Sequence, residues 1–406
     1  MTRAILGLCQ RTVSLALPSK FLPFRHDAFF VAIFALAAAT VGAVGWSGYV
    51  ALLPAAAIFP ALWAFAPSRL GSGLVAAAYF LVGSRGLPIG VARYFDAQIA
   101  LGIGLWVVAA VPFVAVHATL WTPQARWRPV RYALVLLVMA VPPLGIVGWG
   151  SPLTAAGALF PGWGWFGLAT MALLLLGMTT RIWPVMCVIL GALTIASAAT
   201  WSAPQSSLGW LGIDTKFPVS VTGRHADYAQ QRETIRLVRL AAKQGAKVVV
   251  LPEGALGIWT TTTERLWRRE LAASDVIVLG GATVVTPGGY DNVMVGITPS
   301  TADALYTQRM PVPVSMWQPW TQGGARAGYF AQPVIEIAGM RVAPLICYEQ
   351  LLVWPVLQSF LQAPDALVAI GNGWWAGGSG IVEVQNVAVM AWAALLGLPL
   401  VQSRNA

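Results

Sequence analysis

The chain has 406 residues, of which 57% are hydrophobic and only 10% charged, with a mean hydropathy of +0.70. A soluble globular chain carries about 25% charged residues, so an ordinary cytosolic enzyme is excluded. Disorder needs low hydrophobicity and high net charge, and three cysteines cannot staple a chain of this length, so a disordered protein and a disulfide scaffold are excluded too.

The net charge of +10 is unevenly spread. Residues 1–205 hold eleven Arg and Lys against Asp27 and Asp96, whereas residues 206–406 hold fourteen against thirteen acids. The first stretch reads as a multi-span transmembrane domain and the second as a water-facing domain. A hydrocarbon core about 30 Å thick takes roughly 20 apolar residues of helix to cross. In chain order the candidate spans are 28–46, 49–65, the short 70–83, 97–120, 132–149, 153–178 and 182–201, about seven in all. Pro54, Pro112, Pro142 and Pro143 fall inside them; neighbouring helices in a bundle can satisfy the backbone groups they free. At the N-terminus the apolar run 4–8 is too short for a cleavable signal, and Cys9 follows Leu8 where a lipoprotein box needs a small residue.

Lys and Arg are enriched in the short loops left on the cytoplasmic side. With the N-terminus inside, the seven spans put Arg3, Arg11, Lys20, Arg25, Arg69, Arg126, Arg128, Arg131 and Arg181 in the cytoplasm and only Arg85 and Arg93 outside. The odd count then places 206–406 outside, in the periplasm of a bacterial inner membrane; if 70–83 does not cross, the domain falls in the cytoplasm and the charge bias becomes incoherent. The basic residues sit at loop ends rather than with aromatics on one face. Membrane lipids are therefore the expected partners, and direct nucleic-acid binding is not expected.

After a Pro, Gly and Ser-rich linker at 203–212, the pattern alternates between helix and strand. A helix over 226–244 stops at Gly245 and leads into a buried strand, 247–251, which ends in Pro252-Glu253-Gly254. A helix over 263–273 and a strand over 276–285, broken by Gly280 and Gly281, follow. Residues 334–337 and 341–346 form a hairpin about Gly339, and its second strand runs into Cys347-Tyr348-Glu349. A strand over 366–370 ends in Gly371-Asn372-Gly373-Trp374-Trp375; a helix over 382–396 and a strand over 399–402 close the chain. The class is α/β, with chemistry expected at strand ends. Asn292, after Tyr290-Asp291, reads as a turn residue. His26, His117 and His225 show no ligand spacing, so no metal or other cofactor is expected.

A strand-end cysteine, an acid two residues later and a distant strand-end Glu253 are what thiol acyl transfer uses. A carboxylate takes the thiol proton, the thiolate attacks a carbonyl, and donors stabilise the oxyanion. A cysteine after an apolar strand is by itself more often a small buried hydrophobe. Four motifs in order give it context: Leu-Pro-Glu-Gly-Ala-Leu (251–256), Tyr-x-x-Arg-x-x-Val-Pro (306–313), Ile-Cys-Tyr-Glu (346–349) and Gly-Asn-Gly-Trp-Trp-Ala-Gly (371–377). Together they resemble the carbon-nitrogen hydrolase, or nitrilase, superfamily over about residues 206–406. With membrane spans in front, the chain is similar to the apolipoprotein N-acyltransferases and most similar to the TraB family of conjugal transfer proteins of Agrobacterium and Rhizobium plasmids.

The resemblance implies an α-β-β-α sandwich and a Glu-Lys-Cys triad, with Glu253 as general base, Cys347 as nucleophile and Glu349 as a supporting acid. Asn372, Trp374 and Trp375 become candidate substrate-binding residues, although two adjacent Trp more often pack into a core. The family's lysine falls on Gln308, and no lysine follows Lys247. Glutamine offers a neutral dipole where lysine offers a full charge, and losing one such donor costs about 100- to 1000-fold in rate. Arg309 is adjacent, but neighbouring side chains on an extended segment point to opposite faces. The chain also stops at Ala406, where the acyltransferases continue into further strands and a last helix; a sheet without those strands leaves edges exposed unless something covers them, so either a domain incomplete at its C-terminus or a partner filling the gap is expected. Two readings follow: a domain degenerate in catalysis that serves conjugation beside other transfer or envelope proteins, or a Cys347-dependent N-acyltransferase or amidase drawing on a phospholipid acyl donor.

Overall fold

The computed structural model describes residues 22–202, 204, 209–217 and 224–405; Arg3, Cys9, Arg11, Lys20 and the run 4–8 lie outside them. The N-terminal half is helical: α1 (Leu22–Gly45), α2 (Phe59–Ala64), α3 (Arg69–Gly83), α4 (Leu87–Tyr94), α5 (Ile99–Leu120), α6 (Arg128–Ala140), α7 (Ala156–Leu159), α8 (Gly164–Met178) and α9 (Trp183–Thr200). Seven full-length spans do not form. Among the described residues, Ala28–Gly45 of α1, α5 and α9 are long and apolar enough to cross a membrane, and α3 with α4 makes a fourth if a bend of 57° is counted within one span.

The shortfall lies at the prolines, each of which lacks an N–H and clashes with the carbonyl four residues back. Around Pro54 the chain runs as a 3-10 helix, Val50–Ile58, before the short α2. Helix α6 stops at Ala140, ahead of Pro142 and Pro143, and 153–178 splits between α7 and α8, where Pro161 and Gly162 stand. Pro112 alone is carried inside a long helix, α5.

The helical half has two unlike ends. At one, the Arg128 guanidinium lies 4.8 Å over the Phe65 ring, and Phe65 meets Trp183. The segments carrying Arg69, Arg126, Arg128, Arg131 and Arg181 therefore gather there. At the other end, Gly48, Gly86 and Gly157 lie so close to the C-terminal half that a Cβ would meet Glu383 Cβ at 2.7 Å, Ser379 O at 2.1 Å and Ala391 O at 1.6 Å.

The C-terminal half continues with β1 (Trp210–Gly212), α10 (Arg224–Lys243), β2 (Val248–Val250), α11 (Thr261–Leu271), β3 (Ile277–Thr286), β4 (Gly289–Ile297) and β5 (Ala302–Thr307). These strands form one sheet in chain order, parallel through β3 and antiparallel after it. Next come β6 (Ile335–Ile337), β7 (Met340–Ile346), α12 (Val353–Phe360), β8 (Ala366–Asn372), α13 (Ile381–Leu396) and β9 (Leu400–Asn405). Strands β6 to β9 form a second sheet, antiparallel at its first pair and parallel beyond.

Alternation along the strands builds the layers. Val248 and Val250 face inward to pack with Val342, Ile346 and Ile370 of the other sheet, while Val249 and Leu251 face Val238 and Trp267 on α10 and α11. On the far side, Leu345 and Ala369 face α12 and α13, and this face shares one core with the N-terminal helices through Val356, Val389 and Trp392. The order is thus helices, sheet, sheet, helices, with the outer layer of α12 and α13 buried against the helical half.

Several local expectations change. The linker read at 203–212 contains β1, and the strand expected to break at Gly280 and Gly281 is continuous as β3. Gly281 is needed for contact instead: a Cβ there would lie 2.4 Å from the Glu253 Cα. The outer edge of β9 is not left open among the described residues, since Thr215 donates its N–H to Arg404 O and Ser403 donates its hydroxyl to Ile213 O.

Candidate active site

Glu253 stands just after β2, with Gly254 in the left-handed region (φ 74°) turning the chain away beside it. Its Oε1 accepts from Asn292 Nδ2 at 2.7 Å; its Oε2 is buried without a hydrogen-bond partner of ordinary geometry. Burial pushes the Glu253 carboxyl up to about 7, against opposition from Asn292, the Cys347 thiol and the Asn372 backbone. A carboxyl held near neutrality can take up and release a proton at physiological pH.

Cys347 follows β7 at the first position of a 3-10 turn, Cys347–Leu351, with φ at 49°. A non-glycine residue in that region is strained by roughly 1–3 kcal/mol and persists only where its surroundings enforce it. The enforcing group is Glu349. Its fully buried carboxylate accepts from the backbone N–H groups of Ile346 (2.8 Å), Arg309 (2.6 Å) and Met310 (3.2 Å) and from the Tyr306 hydroxyl (2.8 Å). The turn is thereby tied to the segment after β5. Burial raises the Glu349 carboxyl, opposed first by the nearby Arg309 guanidinium.

Arg309 is consumed by this arrangement. Its guanidinium donates to Tyr306 Oη, Gln358 Oε1 and Ser359 Oγ, 0% exposed, and lies 3.9 Å from Glu349. Gln308 points elsewhere: its Oε1 accepts from Asn292 at 2.9 Å and its Nε2 donates to Ile346 O at 3.0 Å. Neutral amides therefore link Glu253, Asn292, Gln308 and the carbonyl preceding Cys347. The groups acting on the thiol are Glu253, the Gln385 amide and the Asn372 backbone, and burial followed by the Glu253 charge drives the Cys347 thiol upward. No cation is among them.

Two cavities meet at Cys347. One, of about 300 Å³, is lined by Glu253, Asn292, Asn372, Trp374, Trp375 and Tyr94 of α4. The other, of about 140 Å³, is mostly apolar and is walled by Trp46, Trp149, Leu87, Val384 and Gln385. Both lie where the helical half meets the sandwich. Glu253, Cys347, Asn372, Trp374 and Trp375 reach the cavity walls, whereas Gln308 and Glu349 stand behind them. Trp374 and Trp375 are half-buried, and Trp374 stacks on Tyr94 with ring centroids 6.0 Å apart, so the pair is cavity wall rather than core. Arg93 of α4 donates to Gly377 O, holding the loop that carries both Trp.

Sequence reasoning missed three residues here. Asn292 is no turn residue: it sits in β4 opposite Thr283 and bridges Glu253 to Gln308. A polar residue at the start of the apolar run 293–297 was its signal. Gln385 stands out as an amide on a largely apolar helix, α13. Tyr94 carries no signal at all, because its helix comes from the other half of the chain.

The chain is 49% identical to the conjugal transfer protein TraB of Agrobacterium fabrum, over 94% of each chain. The chain belongs to the TraB family of conjugal transfer proteins. A probable TraB of Sinorhizobium fredii is 47% identical over 94% of this chain and its own full length. Within this TraB family member, residues 260–394 match the carbon-nitrogen hydrolase family. The apolipoprotein N-acyltransferase of Vibrio parahaemolyticus is 37% identical over 79 residues, 19% of this chain and 15% of its own. An amidase of the nitrilase superfamily from Nesterenkonia AN1 superposes on 51% of this chain and 79% of its own at 12% identity, with a TM-score of 0.39.

Proposed function

We propose that this protein is a bacterial inner-membrane component of a conjugative plasmid transfer system whose carbon-nitrogen hydrolase domain is degenerate in catalysis. The domain keeps a cleft against the membrane helices, and its partners are membrane lipids and other conjugation or envelope proteins. One observation carries the catalytic part: position 308, where the resemblance implies lysine, holds a glutamine spent on Asn292 and a backbone carbonyl. Arg309, the adjacent cation, is committed to Glu349 and its neighbours. Without a cation the rate falls by about 100- to 1000-fold.

The gathering of the loop arginines at the end of the bundle away from the sandwich supports a cytoplasmic basic end and a periplasmic domain. Labelling with a membrane-impermeant thiol reagent tests this. A cysteine introduced at exposed Arg341 should react in intact spheroplasts, and one at exposed Arg126 only after lysis; the reverse pattern would overturn the orientation.

A second reading has its own support: the strained turn at Cys347 and a Glu253 held at about 7 beside it are features of an acyl-transfer site. Glu253 would take the thiol proton, the thiolate would add to a lipid ester carbonyl, and the ester C–O bond would break to release the lysolipid alcohol, protonated by Glu253; the acyl group would then pass from Cys347 to an amine or to water. Intact-mass measurement after incubating the purified chain with phospholipid vesicles separates the two. The degenerate domain gives no acyl adduct on Cys347, and a Cys347→Ala strain conjugates normally. An adduct, together with lost conjugation at normal protein levels, establishes the enzyme.

A further inference from the structure

The domain of residues 206–406 is nearly neutral as a whole but strongly polarised. Helices α10 and α11 together carry eight Arg and Lys against four acids, while the rest of the domain carries six against nine. These two helices form the outer layer on the side of the sandwich away from the helical half, opposite the layer of α12 and α13. Helical spacing concentrates the charge further. Arg232, Arg236, Arg239 and Lys243 recur at intervals of four, three and four residues, so they form one exposed stripe on α10, about 16 Å long. Arg265 and Arg269, one turn apart on α11, are exposed as well.

Between the two helices runs a groove of about 660 Å³, in which Arg232, Arg236, Arg239 and Arg269 surround Ile235 and Leu266. The groove holds fewer carboxylates than cations. Glu270 accepts from both Arg239 (2.6 Å) and Arg269 (3.3 Å), and Glu233 pairs with Arg236 (2.6 Å). Arg232 lies 6.0 Å over the Tyr228 ring, and among the described residues no carboxylate pairs with it. Like charges three and four residues apart disfavour a helix, so the stripe is a burden that a countercharge from outside would relieve.

We propose that this groove docks an acidic amphipathic helix of a partner protein, with its carboxylates on the arginine stripes and its apolar side chains on Ile235, Leu266 and Tyr228. Charge complementarity selects an anion, and a groove between two helices is a seat for a third. The composition of the groove selects protein over nucleic acid. Glu233 and Glu270 stand among the arginines and would repel a continuous phosphate backbone, whereas a peptide can set a carboxylate at each guanidinium and avoid them. The exposed pairs already present are weak and exchange readily for new partners.

This surface lies across the sandwich from the cleft at Cys347, so the inference gives the protein partners proposed above a chemistry without resting on the membrane or the catalytic reading. The full chain in neutral detergent is titrated into a fluorescein-labelled helical peptide carrying Glu at intervals of four, three and four residues with Leu beside them, and anisotropy is followed. Micromolar binding that weakens with salt is expected, with a scrambled peptide of the same composition about ten-fold weaker. Arg232→Gln, Arg236→Gln and Arg269→Gln should each weaken the patterned peptide about 2- to 5-fold and together about 10- to 100-fold, whereas Arg341→Gln, on the other sheet, should leave it unchanged. Arg239 stays intact because it also bonds the Glu270 backbone carbonyl and holds α10 to α11. Combined Arg232→Glu, Arg236→Glu and Arg269→Glu should bind the same peptide with Lys in place of Glu, which separates lost charge from lost fold. Equal affinity for the scrambled peptide, unchanged affinity in the triple glutamine variant, or no binding at all would overturn the inference. So would tighter binding of a single-stranded oligothymidylate, which would make the groove a nucleic-acid site.

Discussion

Replacing Glu253 by glutamine should stabilise the protein at alkaline pH but not in acid. Burial raises this carboxyl from 4.5 to about 7 in the folded state. Between those values the unfolded chain has given up the proton and the folded chain still holds it, so stability falls as pH rises through the window and levels off above it. A shift of that size corresponds to about 3 kcal/mol at pH 8, present only with an ionisable group at 253. The glutamine side chain would keep the acceptor for Asn292 and remove the buried charge. For a domain of this size each kcal/mol moves the melting temperature by about 2–4 °C. Burying the new amide N–H costs the same at every pH, so we expect a rise of at least about 4 °C at pH 8 and no rise, or a fall of a few °C, at pH 4.5. Differential scanning fluorimetry of the full chain in detergent across that range measures it. Parallel melting curves for wild type and variant at every pH would refute the reasoning, because the carboxylate would then carry no burden to relieve.

Gln308→Lys should restore a cation between Asn292 and Ile346 O, lower the Glu253 carboxyl and flatten the wild-type pH dependence; if the domain then acylates Cys347 about 100-fold faster by mass spectrometry, the missing charge was the defect. Glu349→Ala strips four donors of their acceptor and leaves Arg309 buried without a countercharge, a loss of about 3–5 kcal/mol that should appear as poor recovery of folded protein. Gly157→Val places side-chain atoms where the Ala391 carbonyl stands, and should part α7 from α13 and expose the junction to limited proteolysis.

What the sequence disclosed and what it hid divide along physical lines. Strands buried on both faces, such as β2, β7 and β8, announce themselves as continuous apolar runs, and helix α10 by its period and its glycine stop. The four motifs located the strand ends that converge on Cys347. Strands β4 and β5 and helix α12 left no comparable trace; β5 in particular reads Ala-Asp-Ala-Leu-Tyr-Thr, with neither a clean alternation nor a buried run. The span count failed for a different reason. Hydropathy reports whether a segment tolerates lipid, not whether its backbone stays helical, and Pro54, Pro142 and Pro161 decide the second question. Tyr94 was beyond any such reading, because its relevance comes from docking one half of the chain onto the other.

The loss of a lysine also changes what the remaining residues must do. A cation beside Glu253 would hold the carboxylate ionised and favour the thiolate at Cys347. With Gln308 in that place the charge is dispersed into neutral dipoles: Asn292 supports Glu253, Gln308 supports Asn292, and the Gln385 amide alone favours the charged form of sulfur from a side chain. Glu253 and Cys347 are consequently both biased toward their protonated forms. Proton transfer from thiol to carboxylate then demands that Glu253 be ionised first, so any thiol chemistry at this site should rise with pH through about 7. A site with its ion pair intact would have its base ionised well below that value. The pH dependence of adduct formation, and not its presence alone, therefore distinguishes slow chemistry native to this amide-built site from chemistry that proceeds as though the lysine were still there.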